Sequence, residues 1–380
     1  MSTAQSVGEQ FRSGFAIERE VLLFNNAGVA PMCLSAEAAI QRMSQHLRHG
    51  WFDLDNAFRQ YEQARVSFAR LTGARTEDVS LMQTCAAAIS QVALGLHLRP
   101  GDEIVTTDQE YPSNAYPWYV AAQRSNALLR VVQSQPDLSL PTESVLAAIG
   151  PQTRVVAVSW VQFQTGAVLD LAALSQACRR YGAWLVVDAI QGLGVLPFDL
   201  LTMGVDAVCG GAHKWLCGPL GQGVLALAPG RAAELQPLLH GAMTYGTPEE
   251  AVDPRKTPRP DAKRFEPGSP PLLSAVATGA AIDRLLSFGI DQLHQAALAI
   301  SDRLITGLAT RGAKLLLPVG SALRSPIVTF VPRQDLASVA ARLSAHKVAF
   351  ARRAGGIRLA PHAFNLPSEV ERFFAILDAV

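Results

Sequence analysis

The chain has 380 residues, of which 49% are apolar and only 17% are charged, so it can bury a sizeable core and its composition excludes intrinsic disorder. Lys and Arg (33) balance Asp and Glu (32), which gives no electrostatic reason to expect nucleic acid or a membrane surface as a partner. The low charged fraction favours a surface that is partly covered by another subunit. We therefore expect a small-molecule substrate.

The cysteines are few and irregularly spaced, at positions 33, 85, 178, 209 and 217. An odd number of cysteines without the regular spacing of a disulfide framework is typical of reduced thiols, which predicts a cytoplasmic protein. No apolar run reaches the roughly 18 residues of a spanning helix, and the first residues lack the pattern of a signal peptide. His46 and His49 have no acidic or Cys neighbour to complete a metal site, so we predict no bound metal.

Between about residues 75 and 230, short β-branched apolar runs alternate with segments of helical period. Each run is continuous, which is typical of a strand buried on both faces. The stretch 171–181, followed by Gly182, has the period and the glycine C-cap of an amphipathic helix. The pattern predicts a parallel, doubly wound α/β domain. Its predicted strands are 103–107, 127–132, 154–160, 183–188, 207–209 and 223–227.

Beyond residue 229 the pattern weakens, and residues 229–265 are rich in Pro, Gly, Lys and Arg, which predicts a long surface loop. Residues 272–287 then have the composition of a long apolar helix, and the remainder alternates helix with short strand. We expect a large domain over residues 20–285 and a smaller α+β domain over residues 286–380, with residues 1–19 packing on the smaller one.

Two polar groups follow predicted neighbouring strands. Asp188 ends one buried strand, and Lys214 follows the next one after Ala212 and His213. The carboxyl ends of parallel strands line the ligand crevice of such sheets, although Asp188 alone could equally cap a helix or a turn. Desolvating a charged lysine at the end of a buried strand costs free energy, which favours a functional role for such a residue. Desolvated lysines are the ones that form Schiff bases. A pyridoxal phosphate enzyme requires such a lysine and such an aspartate.

The motifs around these residues resemble one family. Asp188-x-x-Gln191, the run 212–216 (AHKWL) and the glycine run 218–223 are similar to the class V aminotransferases, which are fold-type-I pyridoxal phosphate enzymes. The isopenicillin N epimerase-like and cysteine-desulfurase-like branch is the most similar part of the family, and the resemblance extends from Phe24 to about Phe373. It implies an α/β fold with a mainly parallel sheet in a large domain, a smaller C-terminal α+β domain and pyridoxal 5'-phosphate as cofactor.

The resemblance also implies a set of site residues. Arg358 would hold the substrate α-carboxylate, unless it forms only a surface ion pair, and Asn26, Ala27 and Gly28 would lie beside that carboxylate, unless they form only a glycine turn. Tyr111 would stack on the cofactor ring, and Gln162 and Gln191 would approach its phenolic oxygen. The phosphate would be bound at a helix that begins near Thr84. Its other implied ligands are Cys85, Ala86, Gly211, His213 and, across a homodimer interface with composite sites, Ser269.

This chain departs from the family at the phosphate. Relatives carry Thr and Glu where it has Ala86 and Ala87, and they often have Ser where it has Gly211. Two hydroxyl contacts to the phosphate are therefore missing, and we expect weaker retention of the cofactor.

Several reactions share the same first step, in which Lys214 takes the α-proton of a small amino acid as general base. Cysteine desulfurases need a nucleophilic cysteine shortly before the carboxylate arginine, and this chain has no cysteine after Cys217. We therefore expect transamination or side-chain-cleaving lyase chemistry rather than persulfide formation. Epimerisation is the alternative and needs a second acid, for which Tyr111 is the only candidate. A non-catalytic binding or regulatory protein is the alternative of another class. Arg352 and Arg353 are either solvated charges or contacts to the substrate side chain.

Overall fold

The computed structural model describes residues 3–48, 52–246, 253, 255–316 and 324–379. Most of the described chain is helix and strand. The α-helices in these ranges are α1 (Thr3–Arg12), α2 (Leu34–Arg48), α3 (Leu54–Thr72), α4 (Cys85–Gly95), α5 (Pro112–Ser125), α6 (Thr142–Leu146), α7 (Leu171–Tyr181), α8 (Leu200–Met203), α9 (Leu272–Phe288), α10 (Ile290–Thr310), α11 (Leu336–Ala345) and α12 (Pro367–Asp378).

The strands of the described ranges form three sheets. They are β1 (Leu22–Leu23), β2 (Val79–Met82), β3 (Glu103–Thr107), β4 (Leu128–Val132), β5 (Thr153–Ser159), β6 (Trp184–Asp188), β7 (Ala207–Gly211), β8 (Gly223–Leu227), β9 (Lys314–Leu315), β10 (Val328–Val331), β11 (Val348–Ala349), β12 (Ala351–Arg353) and β13 (Gly356–Leu359).

The large sheet has seven strands in the order β2-β8-β7-β6-β5-β3-β4. Strands β3 to β7 pair in parallel, which confirms the predicted α/β class with a mainly parallel sheet. The sheet is not entirely parallel, because β8 runs antiparallel to both β7 and β2. The sequence analysis missed β2, whose four buried residues are too few to show a period.

Both faces of this sheet are covered, as its continuous apolar strands require. In β5, Val155 and Ala157 pack into a core with α4 and α5, whereas Val156 and Val158 pack into a second core with α7 and α9. This alternation follows from the two-residue period of a strand. Because the parallel strands all point the same way, their carboxyl ends meet at a single edge of the sheet.

One predicted strand has a different environment. Residues 127–132 were predicted to be buried on both faces, but β4 lies at the edge of the sheet and pairs only with β3. Leu128 is 61% exposed there. The prediction of burial was wrong because a continuous apolar run does not reveal a strand's position in the sheet.

The segment 229–265 is not a surface loop throughout. It contains 3-10 turns at Arg231–Glu234, Ala242–Tyr245 and Ala262–Phe265, and Ala262, Arg264 and Phe265 are buried. The loop prediction is therefore wrong at its C-terminal end. Residues 247–252 and 254 of this segment lie outside the described residues, as does His49.

A second, four-stranded antiparallel sheet has the order β12-β13-β10-β9 and packs with α10, α11 and α12. The N-terminal helix α1 lies against α10, and Arg12 forms an ion pair of 2.9 Å with Glu369 of α12. The predicted domain limits stay a prediction; position 285 falls inside α9. Within the described ranges no single helix is long and apolar enough to cross a membrane, and only the consecutive pair α9 and α10, bent by 81°, meets that criterion together.

A buried ion pair fixes the end of the segment 262–266 to the large sheet. Arg65 of α3 donates to Glu266 Oε2 at 3.0 Å and to Val79 O at 2.8 Å, and Glu266 Oε1 accepts the Leu81 amide at 2.7 Å. Tyr61 donates its hydroxyl to the same carboxylate at 2.9 Å. One carboxylate thus joins α3, β2 and the segment that precedes Ser269.

We predict that Glu266→Gln lowers the free energy of unfolding by about 3–5 kcal/mol, because it leaves a buried guanidinium without its main counter-ion. Urea unfolding measures the change. Asp378→Asn, which breaks the solvent-exposed pair with Arg311, is the control and should have little effect. Equal stabilities for the two variants would contradict a structural role for the Arg65–Glu266 pair.

Candidate active site

The carboxyl end of β6 supplies a buried carboxylate. Asp188 is the last residue of that strand, and its Oδ1 accepts the Ile190 amide at 2.9 Å and faces Cys85 Sγ at 3.4 Å. Burial raises the pKa of Asp188, while the Ile190 amide and the charge of Lys214 act in the opposite direction. The aspartate is therefore held at the edge of the sheet, facing the start of α4.

Lys214 follows β7 in a tight turn. The turn is fixed by the Cys217 amide, which donates to Lys214 O at 2.9 Å, and by the Ala30 amide, which donates to His213 O at 2.9 Å. Burial lowers the pKa of Lys214 to about 8; Asp188 counteracts the shift, and the charges of Arg358 and Arg353 add to it. A lysine in this state is a usable nucleophile and base near neutral pH.

Tyr111 lies over Lys214, with 5.7 Å between Nζ and the ring centroid. It precedes α5 and contacts Phe163 edge to face, with ring centroids 5.2 Å apart. Glu110, the residue before Tyr111, was not predicted as part of the site. Its buried carboxylate accepts hydrogen bonds from the Ser159 amide at 2.9 Å and from the Asn114 side chain at 2.7 Å. The signal was an acidic residue just after a strand end, and its role here is to tie the turn before Tyr111 to β5.

The N-terminus of α4 points to the same edge of the sheet. Thr84 is its N-cap and accepts the Ala87 amide at 3.0 Å, while Cys85 and Ala86 form the first turn. Gly223 of β8 passes so close that an added Cβ would lie 2.6 Å from Thr84 O and 2.8 Å from Cys85 N. A helix start of this kind is an anion site when its free amides face a ligand.

Three other predicted phosphate residues differ in their surroundings. His213 is partly buried, and burial lowers the pKa of its imidazole. Gly211 ends β7, and a Cβ there would lie 3.1 Å from Ile190 Cδ1. Ser269 is exposed and has a left-handed backbone with φ of 46°. Its contact with a second subunit stays a prediction.

The two predicted amides are both buried but are differently engaged. Gln191 donates to Ala27 O at 3.0 Å and accepts the Trp215 indole N–H at 2.9 Å. Gln162 donates to Ser159 O at 3.4 Å, and its Oε1 is buried without a partner among the described residues. Gln191 therefore has one amide proton left for a ligand, while Gln162 keeps an unused acceptor.

The segment 26–28 and Arg358 meet beside these amides. Asn26 donates to Ala360 O at 2.8 Å, Ala27 is bound by Gln191 as above, and the Gly28 amide donates to Asn25 O at 2.9 Å. Arg358 is 1% exposed and donates to Phe163 O at 2.7 Å and to Asn25 Oδ1 at 3.4 Å. Burial first, and then Arg353, lowers the pKa of Arg358 to about 10.

The surface ion-pair alternative for Arg358 is wrong, because the guanidinium is buried and no acidic side chain of the described ranges pairs with it. Its Nε and the Oδ1 of Asn26 are also buried without partners there. An unpaired buried guanidinium N–H is costly, so Arg358 indicates a place for an anionic ligand, whereas the unpaired Asn26 oxygen is an acceptor and requires a donor. Lys214, Asp188, Arg358 and the start of α4 suit the aldehyde, pyridine nitrogen, substrate carboxylate and phosphate of the expected cofactor complex.

Comparison with known proteins identifies the family of the chain. The family model described as aminotransferase class-V matches residues 34–361. The chain belongs to the class V aminotransferase family. It is therefore a pyridoxal-phosphate-dependent enzyme, and the non-catalytic alternative is set aside.

Individual relatives differ in their reported activities. Isopenicillin N epimerase of Streptomyces clavuligerus is 30% identical over 98% of both chains. A probable cysteine desulfurase of Pseudomonas aeruginosa is 32% identical, covering 85% of this chain and 83% of the relative. A solved cysteine desulfurase structure from Thermococcus onnurineus superposes with a TM-score of 0.89 over 97% of both chains at 24% identity, which confirms the fold-type-I architecture.

We predict that Lys214 of the apoprotein reacts with an aromatic aldehyde at a rate that rises with pH and levels off above about pH 8, because its pKa is lowered to about 8. Borohydride trapping followed by mass spectrometry counts the product, with exposed Lys314 as internal reference. Asp188→Asn removes the negative charge that holds this pKa up, so the midpoint should move to lower pH. A midpoint above pH 10 in the unchanged protein would sink the prediction.

Gly223→Ala should weaken binding of pyridoxal phosphate at least about tenfold, equivalent to about 1.4 kcal/mol, because the new methyl group must displace the start of α4. Absorbance titration of the apoprotein measures the dissociation constant. Gly150→Ala is the control, since a Cβ at Gly150 meets nothing within 4 Å. If both variants bind like the unchanged protein, the close approach at Gly223 does not shape the phosphate site.

Proposed function

We propose that this enzyme acts on the α-carbon of a small amino acid, by transamination or by cleavage of the side chain. The observation that carries the proposal is the convergence of a lysine with a lowered pKa, a buried aspartate and a buried arginine without an acidic partner in the described chain. These are Lys214, Asp188 and Arg358.

In this proposal the chain holds the cofactor with residues from several elements. Asp188 would hold a proton at the pyridine nitrogen, and Tyr111 would stack on the ring. Thr84, the N-cap of α4, and Cys85 and Ala86 of its first turn would bind the phosphate, together with Gly211, His213 and Ser269 of a second subunit. When bound, pyridoxal phosphate supplies an electron sink for negative charge at the substrate α-carbon.

The substrate is positioned by its two ends. Arg358 offers the planar pair of N–H donors that a carboxylate matches, and its N–H bonds to Phe163 O and Asn25 hold that plane in place. The Lys214 amine would take the proton from the α-carbon as general base. The proton acceptor and the carboxylate anchor then lie at opposite ends of the reacting group, which fixes the orientation of the α-carbon.

The distribution of cysteines argues against a persulfide-forming desulfurase. All five cysteines are buried, and none follows Cys217 in the sequence. The region just before Arg358, where desulfurases place their nucleophilic cysteine, is here the tight hairpin of β12 and β13. Cys85, which contacts Asp188, is a poor nucleophile because burial and the neighbouring carboxylate raise its pKa.

Epimerisation is the second candidate, favoured by the 30% identity to isopenicillin N epimerase over nearly the whole chain. It requires an acid on the face of the substrate opposite Lys214. Tyr111 is the candidate on our reading, but its ring lies over the Lys214 ammonium, so it is poorly placed to act from the opposite face. We also propose that the enzyme is a cytoplasmic homodimer, consistent with its exposed Ser269 and reduced thiols.

Titration of the cofactor-loaded enzyme with a panel of L- and D-amino acids distinguishes these reactions. We expect one L-amino acid to convert the visible absorption band to that of the amine form of the cofactor, which is transamination, or to leave the band intact while pyruvate or ammonia accumulates, which is a lyase. Recovery of the band together with inversion of the amino acid's configuration, and no other product, would favour the epimerase.

Lys214→Ala should lose both the band and turnover, whereas Lys314→Ala, at an exposed position of β9, should keep both. Turnover by Lys214→Ala would overturn the proposal.

A further inference from the structure

The hairpin of β12 and β13 carries three arginines, and its register sorts them onto two faces. Ala351 pairs with Arg358, Arg352 with Ile357, and Arg353 with Gly356. Directly opposed residues share a face and successive residues alternate. Arg353 therefore lies on the same face as Arg358, whereas Arg352 lies on the other face with Ile357.

The face that carries Arg358 is the one turned to the active site. Arg358 donates to Phe163 O, Thr329 of the neighbouring strand β10 donates to Gln164 O at 2.6 Å, and Ser325 donates to Gly166 O at 2.7 Å. The opposite face belongs to the core of the smaller sheet, where Ile357 is fully buried. Arg353 is thus placed on the side of the site, about 7 Å further along the hairpin than Arg358 by the rise of two strand residues.

Arg353 has no counter-ion to explain its position. It is exposed, and one of its N–H groups donates to the Arg352 carbonyl at 2.8 Å, but no acidic side chain in the described ranges pairs with it. Its charge lowers the pKa values of both Lys214 and Arg358, so the guanidinium lies within electrostatic reach of both. Hydrogen bonds from Ser338, and to a smaller extent the charge of Arg352, lower the pKa of Asp335 at the start of α11, so Arg352 lies near that helix.

The hairpin turn keeps Arg353 in the pairing register of the two strands. Ala354 and Gly355, which connect the strands, both have positive φ, of 51° and 69°, as a two-residue type I′ turn requires. Such a turn continues the strand twist without a flexible loop. Gly356, opposite Arg353, lies against the backbone of β10, since a Cβ there would clash with Phe330 O, so β13 is held closely against β10 at this pair.

We propose that the substrate carries a second carboxylate at the end of its side chain, and that Arg353 binds it while Arg358 binds the α-carboxylate. This inference rests on the function proposed above, and it names the substrate class as dicarboxylic amino acids. Arg353 and Arg358 place two positive charges on one face of the hairpin, and no acidic side chain of the described ranges pairs with either, so a doubly anionic ligand matches this face. A neutral side chain would leave Arg353 in solvent.

The test compares Arg353→Met with Arg352→Met in the cofactor-loaded enzyme. Both variants lose one positive charge from the same strand, but from opposite faces. Calorimetry with glutarate and with butyrate measures binding without turnover. We expect Arg353→Met to weaken glutarate roughly 10-fold to 100-fold, as for a lost hydrogen bond to a charged group, and to leave butyrate unchanged. Arg352→Met should change neither by more than about twofold.

A second measurement follows kcat/KM for L-aspartate and L-glutamate against L-alanine. A loss confined to the acidic amino acids in Arg353→Met supports the inference. Unchanged glutarate binding in that variant, or an equal loss in Arg352→Met, overturns it, even if neutral amino acids are turned over and the proposed function stands. If no amino acid alters the cofactor band of the unchanged enzyme, the proposed function fails, and the glutarate comparison still decides whether Arg353 recognises a second carboxylate.

Discussion

The docking of the smaller sheet on the segment that follows β5 is the constraint on which the site depends. Arg358, Thr329 and Ser325 each donate to a backbone carbonyl between residues 163 and 166, and Asn26 reaches Ala360 on the same side. These bonds join residues up to 334 positions apart in the sequence. They help to fix the position of the carboxylate anchor relative to Lys214, because Arg358 lies in the smaller sheet whereas Lys214 follows a strand of the large one.

Burial is the main influence on the charge states of Asp188 and Lys214. Asp188 sits in an environment that raises its pKa, and Lys214 in one that lowers its pKa, so each group is held nearer to its neutral form than it would be in water. Each also partly offsets the other's shift.

The positions of the candidate site residues were easier to predict from the sequence than the pairing of the strands around them. Asp188 and Lys214 could be predicted because strand ends meet at one edge of a parallel sheet, and Arg358 because of its family motif. The direction of β8 and the edge position of β4 could not be predicted, since apolar runs do not encode pairing partners. Nor could the Arg65–Glu266 pair, because its members are 201 residues apart and the sequence around Glu266 has loop composition. The sequence could not distinguish the roles of Arg352 and Arg353, whereas the pairing register of the hairpin places them on opposite faces.

The placement of Arg353 on the same face as Arg358 also affects the basicity of Lys214. Lys214 carries a lowered pKa partly because Arg358 and Arg353 lie nearby with positive charges that nothing in the described chain neutralises. A substrate carboxylate bound at either arginine adds a negative charge near Lys214, and a nearby negative charge raises the pKa of a lysine. With a pKa of about 8, Lys214 has a larger neutral fraction in the empty site than a lysine in water has. A carboxylate at either arginine raises the proton affinity of this amine, which favours transfer of the α-proton to it.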